Sequence, residues 1–171
     1  MLHIILLCGL FAFARSQTTT VSQCILQESE LPINQYVHGC ITPPCLLPQL
    51  QDAVIDVVFR APRNIRSMST RATANVFGIN INYPLADAAD TCRFLTNTYC
   101  PLLNGEIVQY TLNMYIESFF PAGISTTIEF RVVDEREDTL WCIRLPVTIT
   151  SPVTARLEQT LNNTARIPYK S

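Results

Sequence analysis

Histidine is nearly missing from this chain of 171 residues, which holds only His3 and His38. The commonest general base is therefore scarce. No Gly-x-Ser-x-Gly elbow or phosphate-binding glycine loop makes up for it. No Cys-x-x-Cys pair occurs, so the cysteines lack the usual zinc-ligand spacing. Basic residues are never clustered and a single lysine, Lys170, is present, which argues against a nucleic-acid footprint. Beyond the N-terminus no apolar run approaches the ~20 residues of a membrane span. Helical periodicity is also absent from the body of the chain. These absences exclude most enzyme classes, and the chain is expected to use no metal or cofactor. His38, two residues before Cys40, reads as a surface or hydrogen-bonded residue.

The N-terminus carries the first positive signal. Ile4 to Ala14 is an apolar run of signal-peptide length, and Ala14-Arg15-Ser16 places small residues before a cut after Ser16. Residues 1–16 are expected to be a signal peptide, 17–150 one domain, and 151–171 a C-terminal extension with a weak helical pattern near Thr154 to Leu161. The sequon Asn162-Asn163-Thr164 makes Asn162 a candidate glycan site. With Cys8 gone, Cys24, Cys40, Cys45, Cys92, Cys100 and Cys142 remain. An even set in an exported chain reads as three disulfides, although six cysteines allow about 15 pairings.

The body of the domain alternates with period two. Ala53, Ile55, Val57 and Phe59 share one face. So do Ala72, Ala74 and Val76, with Gly78 expected to mark a bulge. Leu112, Met114 and Ile116 form a third row, Thr126, Ile128, Phe130 and Val132 a fourth, and Trp141, Ile143, Leu145, Val147 and Ile149 a fifth. Asp134-Glu135-Arg136-Glu137-Asp138 lacks the glycine and spacing of a calcium loop and reads as a solvated hairpin turn. Several short strands separated by proline-bearing connections predict an antiparallel sandwich.

The cysteine framework then carries a resemblance. Cys24, Cys40-Ile-Thr-Pro-Pro-Cys45, Cys92, Cys100-Pro101-Leu102 and Leu140-Trp141-Cys142, followed by Leu145-Pro146-Val147, resemble the lipid-recognition (ML) domain over about residues 22–150. The resemblance implies an immunoglobulin-like β-sandwich of two antiparallel sheets with an internal hydrophobic pocket. It implies the pairing Cys24–Cys142, Cys40–Cys45 and Cys92–Cys100. It also implies a pocket entrance at Tyr83, Ile116 and Phe120 and a deeper wall at Ile55, Val57, Phe59, Met114, Ile128 and Phe130, positions that the alternation independently turns inward. Thr126 and Thr73 are candidates for a hydroxyl contact.

The function that follows is non-enzymatic: binding and transfer of a sterol or fatty-acid-like lipid, by a secreted or lysosomal monomer that meets a membrane acceptor or receptor. A lipid burying about 400 Å² of apolar surface gains roughly 10 kcal/mol gross, against about 4–15 kcal/mol for association, so a preformed cavity suffices without a charged anchor. The alternative is an extracellular recognition module that presents a fatty acid, semiochemical or microbial lipid to a receptor. A sandwich whose inward residues simply fill a packed core is the bland third reading. The even cysteine count has a direct consequence: thiol titration of the denatured secreted protein should find no reactive thiol, and two or more would break the three-bridge assignment.

Overall fold

The computed structural model describes residues 17–27 and 29–153. The signal-like run up to Ser16, the weak helical pattern from Thr154 and the sequon at Asn162 lie outside the described residues. Among the described residues alternating polarity becomes eight strands: β1 (Asn34–Val37), β2 (Cys45–Pro48), β3 (Asp52–Arg60), β4 (Met68–Val76), β5 (Ile79–Tyr83), β6 (Ile107–Tyr115), β7 (Ser125–Asp134) and β8 (Thr139–Thr150). One sheet has the order β1-β3-β6 and the other β2-β8-β7-β4-β5. All pairings are antiparallel except β2 with β8, which run parallel. The two inner faces bury Ala53, Ile55, Val57 and Phe59 of β3 and Val108, Tyr110, Leu112 and Met114 of β6 against the inward residues of β4, β7 and β8. This is the two-layer solution that half-apolar sheets require.

Three disulfides tie the layers and loops together: Cys24–Cys142, Cys40–Cys45 and Cys92–Cys100. The first spans 118 residues of sequence and anchors the N-terminal segment to β8. Ser22 exchanges backbone hydrogen bonds with Arg144 beside it. That arrangement also accounts for a proline inside a central strand. Arg144 points its backbone groups at Ser22 rather than at β7, and the two-residue period puts the nitrogen of Pro146 on the same edge, where β7 needs no donor.

Two expectations are corrected. Gly78 is not a bulge. Val76 pairs with Ile79, so Phe77 and Gly78 form a two-residue hairpin loop, and both have positive φ (51° and 83°). This is the mirror-image turn that matches the right-handed twist of its strands. Nor is the acidic turn after β7 wholly solvated. Asp134 is 4% exposed and accepts hydrogen bonds from the Arg63 guanidinium (Nε at 2.9 Å) and from the backbone N–H groups of Arg136 and Asp138. Burial alone would raise its pKa, but these donors win and hold the carboxyl below its ordinary value.

A depressed carboxyl pKa contributes stability that is present above the unfolded value near 4 and is lost as pH falls through the folded value. Arg63→Ala should therefore destabilise the fold by about 2 kcal/mol at neutral pH, with the deficit shrinking as pH is lowered towards 3. Urea unfolding across pH measures this, and a deficit independent of pH would show that Arg63 acts only through packing.

Candidate functional site

The two ends of the sandwich are packed differently, and side-chain size on the inner faces is the cause. At one end Trp141 of β8 lies 6.2 Å from the Phe59 ring of β3 and 6.4 Å from the Tyr110 ring of β6. The Tyr110 hydroxyl meets Thr70 at 2.6 Å, and Thr70 meets Thr91 at 2.8 Å, so this polar chain is satisfied inside the core. Burial pushes the Tyr110 phenol well above its usual pKa, the Thr70 bond opposing only in part. At the other end β4 turns Ala72 and Ala74 inward, side chains too short to reach the opposite sheet.

A cavity of about 150 Å³ results, lined by Ala72, Ala74, Val76, Ile81, Tyr83, Met114, Tyr115, Ile116, Phe120, Pro121, Ile124, Thr126, Ile128 and Ile149. Its wall is almost wholly apolar. The hydroxyl of Thr126 is already engaged, donating to the Asn75 carbonyl at 2.5 Å. The cavity thus offers shape and apolar contact, with no paired acid and base and no nucleophile among its lining residues.

The mouth is built from β5 on one side and the segment after β6 on the other. Tyr83 and Phe120 stand 5.5 Å apart between ring centroids, and Phe119 stacks behind Phe120 at 4.5 Å. The Tyr83 hydroxyl reaches across to the Tyr115 carbonyl at 3.4 Å. Its pKa is raised, first by burial and then by the charge of Glu117. The β6 side is firmly held. Ile116 exchanges backbone bonds with Leu50 and Gln51, Gln49 donates to the carbonyls of Ser118 and Phe120, and Gly123 and Ile124 bond to Ile149. Among the described residues the backbone of the β5 side is bonded to β4 alone.

Of the residues the sequence pointed to, Tyr83, Met114, Ile116, Phe120 and Ile128 come together around this cavity. Ile55, Val57, Phe59 and Phe130 are buried in the core and are not lining residues, although Phe130 is the cross-strand partner of the lining residue Ala72. Thr126 lines the cavity, whereas Thr73 lies on the outer face of the sheet and donates to Asn82. Sequence reasoning turned Ala72, Ala74, Val76 and Ile149 inward without marking them as a site. The usable signal was the pair of small inward residues, Ala72 and Ala74, in succession on one strand. Ile81, Ile124 and Pro121 carried no such signal. His38 sits at the surface with its Nε2 2.6 Å from Asp56. The cysteine and glutamate group formed by Cys24, Glu129 and Cys142 offers no metal site, because both cysteines are joined in a disulfide. Among the described residues no helix is long and apolar enough to cross a membrane.

A family model described as ML domain matches residues 18–149. The NPC intracellular cholesterol transporter 2 of Mus musculus is 24% identical over 115 residues, covering 67% of this chain and 74% of that protein. Its counterpart in Sus scrofa is 28% identical over 117 residues, with the same coverage. Among solved structures, a Niemann-Pick type C2 protein from Japanese carpenter ant superposes with a TM-score of 0.65 at 17% identity, covering 77% of this chain and 99% of that one.

Ala74→Leu should fill part of the cavity and stabilise the protein by about 0.5–2 kcal/mol, which raises the melting temperature by a few degrees. A drop in melting temperature would mean that the space beside Ala74 is already used.

Proposed function

Because the chain belongs to the ML domain family, we propose that it binds a sterol or similarly neutral lipid in the cavity between its sheets and delivers it to a membrane acceptor or receptor. The observation that carries this reading is the apolar cavity opening between Tyr83, Ile81 and Phe120. A lipid entering there removes its surface from water without leaving any buried charge unpaired. In this reading Tyr83, Ile116 and Phe120 form the entrance, and Met114 and Ile128 the first wall. Ile55, Val57, Phe59 and Phe130 form the layer that a longer ligand would reach. Three disulfides suit an oxidising compartment, so the carrier works outside the cell or in the lysosome.

Size sets a condition on the mechanism. A dry cavity of about 150 Å³ accommodates a molecule like benzene, and a sterol has several times that bulk. Binding therefore displaces the wall, and the weakly tethered β5 hairpin moves more readily than the firmly bonded β6 side. A slim acyl chain needs less displacement, and this favours the second reading, a module that holds a fatty acid or semiochemical.

The variants that test binding must sit at the mouth. Ile116 is only 2% exposed, so a carboxylate there would be stranded with or without ligand and would report folding. Ile124 is half-buried and lines the cavity. Ile124→Asp should abolish binding of a fluorescent sterol while leaving the melting temperature nearly unchanged. Phe120→Ala should weaken binding about tenfold by losing ring contact. Ala74→Leu should weaken binding while stabilising the fold. Sterol affinity that survives all three substitutions would place the lipid elsewhere. Retention of a fluorescent fatty acid with no sterol binding in the wild type would select the second reading.

A further inference from the structure

The sandwich has four sheet edges, and three of them are blunted. The edge strand β1 has four residues and is covered by Thr19, which bonds to Gln35 through its N–H and to the Val37 N–H through its hydroxyl. β2 also has four residues and ends in Pro48, which has no donor. Along β6, Thr96 and Asn97 cap the backbone of Ile107 and Gln109. The fourth edge, β5, is different. It has five residues, and among the described residues no backbone hydrogen bond reaches its outer side. The whole stretch from Ala72 to Ala86 carries no charged residue. Its apolar side chains stand in water, with Phe77 91%, Ile79 66% and Ile81 51% exposed. An uncharged, apolar and unpaired edge is a template for another strand.

The pattern of β5 says which strand fits. Ile79-Asn80-Ile81-Asn82-Tyr83 is nearly the same read in either direction about Ile81. The two-residue hairpin loop makes Val76 and Ile79 a hydrogen-bonded pair, so Ile79, Ile81 and Tyr83 spend their backbone groups on β4. Asn80 and Asn82 therefore point theirs outward. If a second copy lies antiparallel with Ile81 opposite the partner's Ile81, Asn80 faces the partner's Asn82 at a hydrogen-bonded position. Each then donates its N–H to the other's carbonyl, and the two-fold axis repeats the exchange. Ile81 and the partner's Ile81 fall at the close, non-hydrogen-bonded position, about 4.5 Å apart between Cα atoms. Ile79 meets the partner's Tyr83. All apolar side chains of the joint share the cavity face, and all asparagines share the outer one.

We propose that β5 is a self-complementary docking edge through which two copies of this chain form a two-fold dimer with a continuous sheet. Such an interface is isologous and closed, so it uses up the exposed edge and does not propagate into fibres. Pro84 would face Gly78 of the partner subunit and ends the pairing, because it has no N–H to donate. The dimer sets the two cavity mouths side by side on one face. A joint as short as this associates weakly, so the monomer expected from the sequence prevails in dilute solution and the dimer is populated only as concentration rises.

Sedimentation velocity over a concentration series tests the proposal, with thermal melting as the folding control. The wild type should shift from monomer to dimer. Ile81→Lys puts like charges directly opposite each other and should weaken association at least tenfold, as should Ile81→Glu, whereas an equimolar mixture of the two variants should recover it. Asn82→Pro removes an outward donor that the β4–β5 hairpin does not use, and should likewise dissociate the dimer. Wild-type protein that stays monomeric up to about 1 mM would overturn the proposal and leave the edge to a strand of another protein or to a lipid surface. A dimer that survives Ile81→Lys and Asn82→Pro would overturn it too, since association would then run through another face.

Discussion

The distance between the two sheets is set at one end, where Trp141 wedges against Phe59 and Tyr110. Facing sheets pack about 10 Å apart when ordinary side chains interdigitate. Indole, phenyl and phenol rings at the same level fix that separation firmly, and the hydroxyl chain from Tyr110 through Thr70 to Thr91 prevents the rings from sliding. Because the strands are continuous, the spacing is carried to the opposite end, where β4 offers Ala72 and Ala74. Short side chains on sheets held at full separation leave a void. The cavity is thus a consequence of rings at one level and alanines at another.

The mouth owes its character to an asymmetry in backbone bonding. Its β6 side is tied at Ile116, Ser118, Phe120 and Gly123 to two other segments of chain, the Gln49–Gln51 stretch and Ile149 of β8. Its β5 side belongs to a hairpin whose ladder bonds run to β4 alone. Local opening costs least where the fewest buried contacts and bonds are broken. The hairpin is therefore the part of the wall free to yield, and the same lack of bonds on its outer side leaves an edge open to another strand. The weak tether and the open edge here have one origin.

Much of this was legible in the sequence, for a physical reason. Burying one face of a strand forces period two, so the inward sets on β3, β6, β7 and β8 could be read from polarity alone. The cysteine framework supplied the family, and with it the sandwich and the bridge pairing. What polarity cannot encode is backbone handedness and reach. Gly78 read as a bulge because alternation fails there, and nothing in that failure reveals that Phe77 accepts a positive φ, which is uncommon for a bulky residue. Asp134 read as solvated because it stands in a charge run; its partner Arg63 is 71 residues away in sequence. The cavity itself was legible only as sizes. Treating Ala74 and Trp141 as equally inward hid the fact that one end of the core is filled and the other is not.

A cavity in a small domain must be offset by something. Voids enclosed in cores cost about 24 cal/mol per Å³, so a space of about 150 Å³ that opens at a mouth carries a penalty of at most roughly 3–4 kcal/mol, a sizeable part of a typical domain's stability. The loop of 118 residues closed by Cys24–Cys142 removes chain entropy from the unfolded state that the same accounting values at up to about 4–5 kcal/mol. The two figures are of one size. Moreover, the bridge joins the N-terminal segment to β8 beside Trp141, at the end that is already well packed, and so stabilises the fold without stiffening the mouth. Stability concentrated at the closed end lets the open end remain deformable. A cross-link placed between β5 and β6 would have supplied similar entropy while sealing the entrance, which is reason enough for a lipid-binding sandwich to keep its long disulfide at the far end.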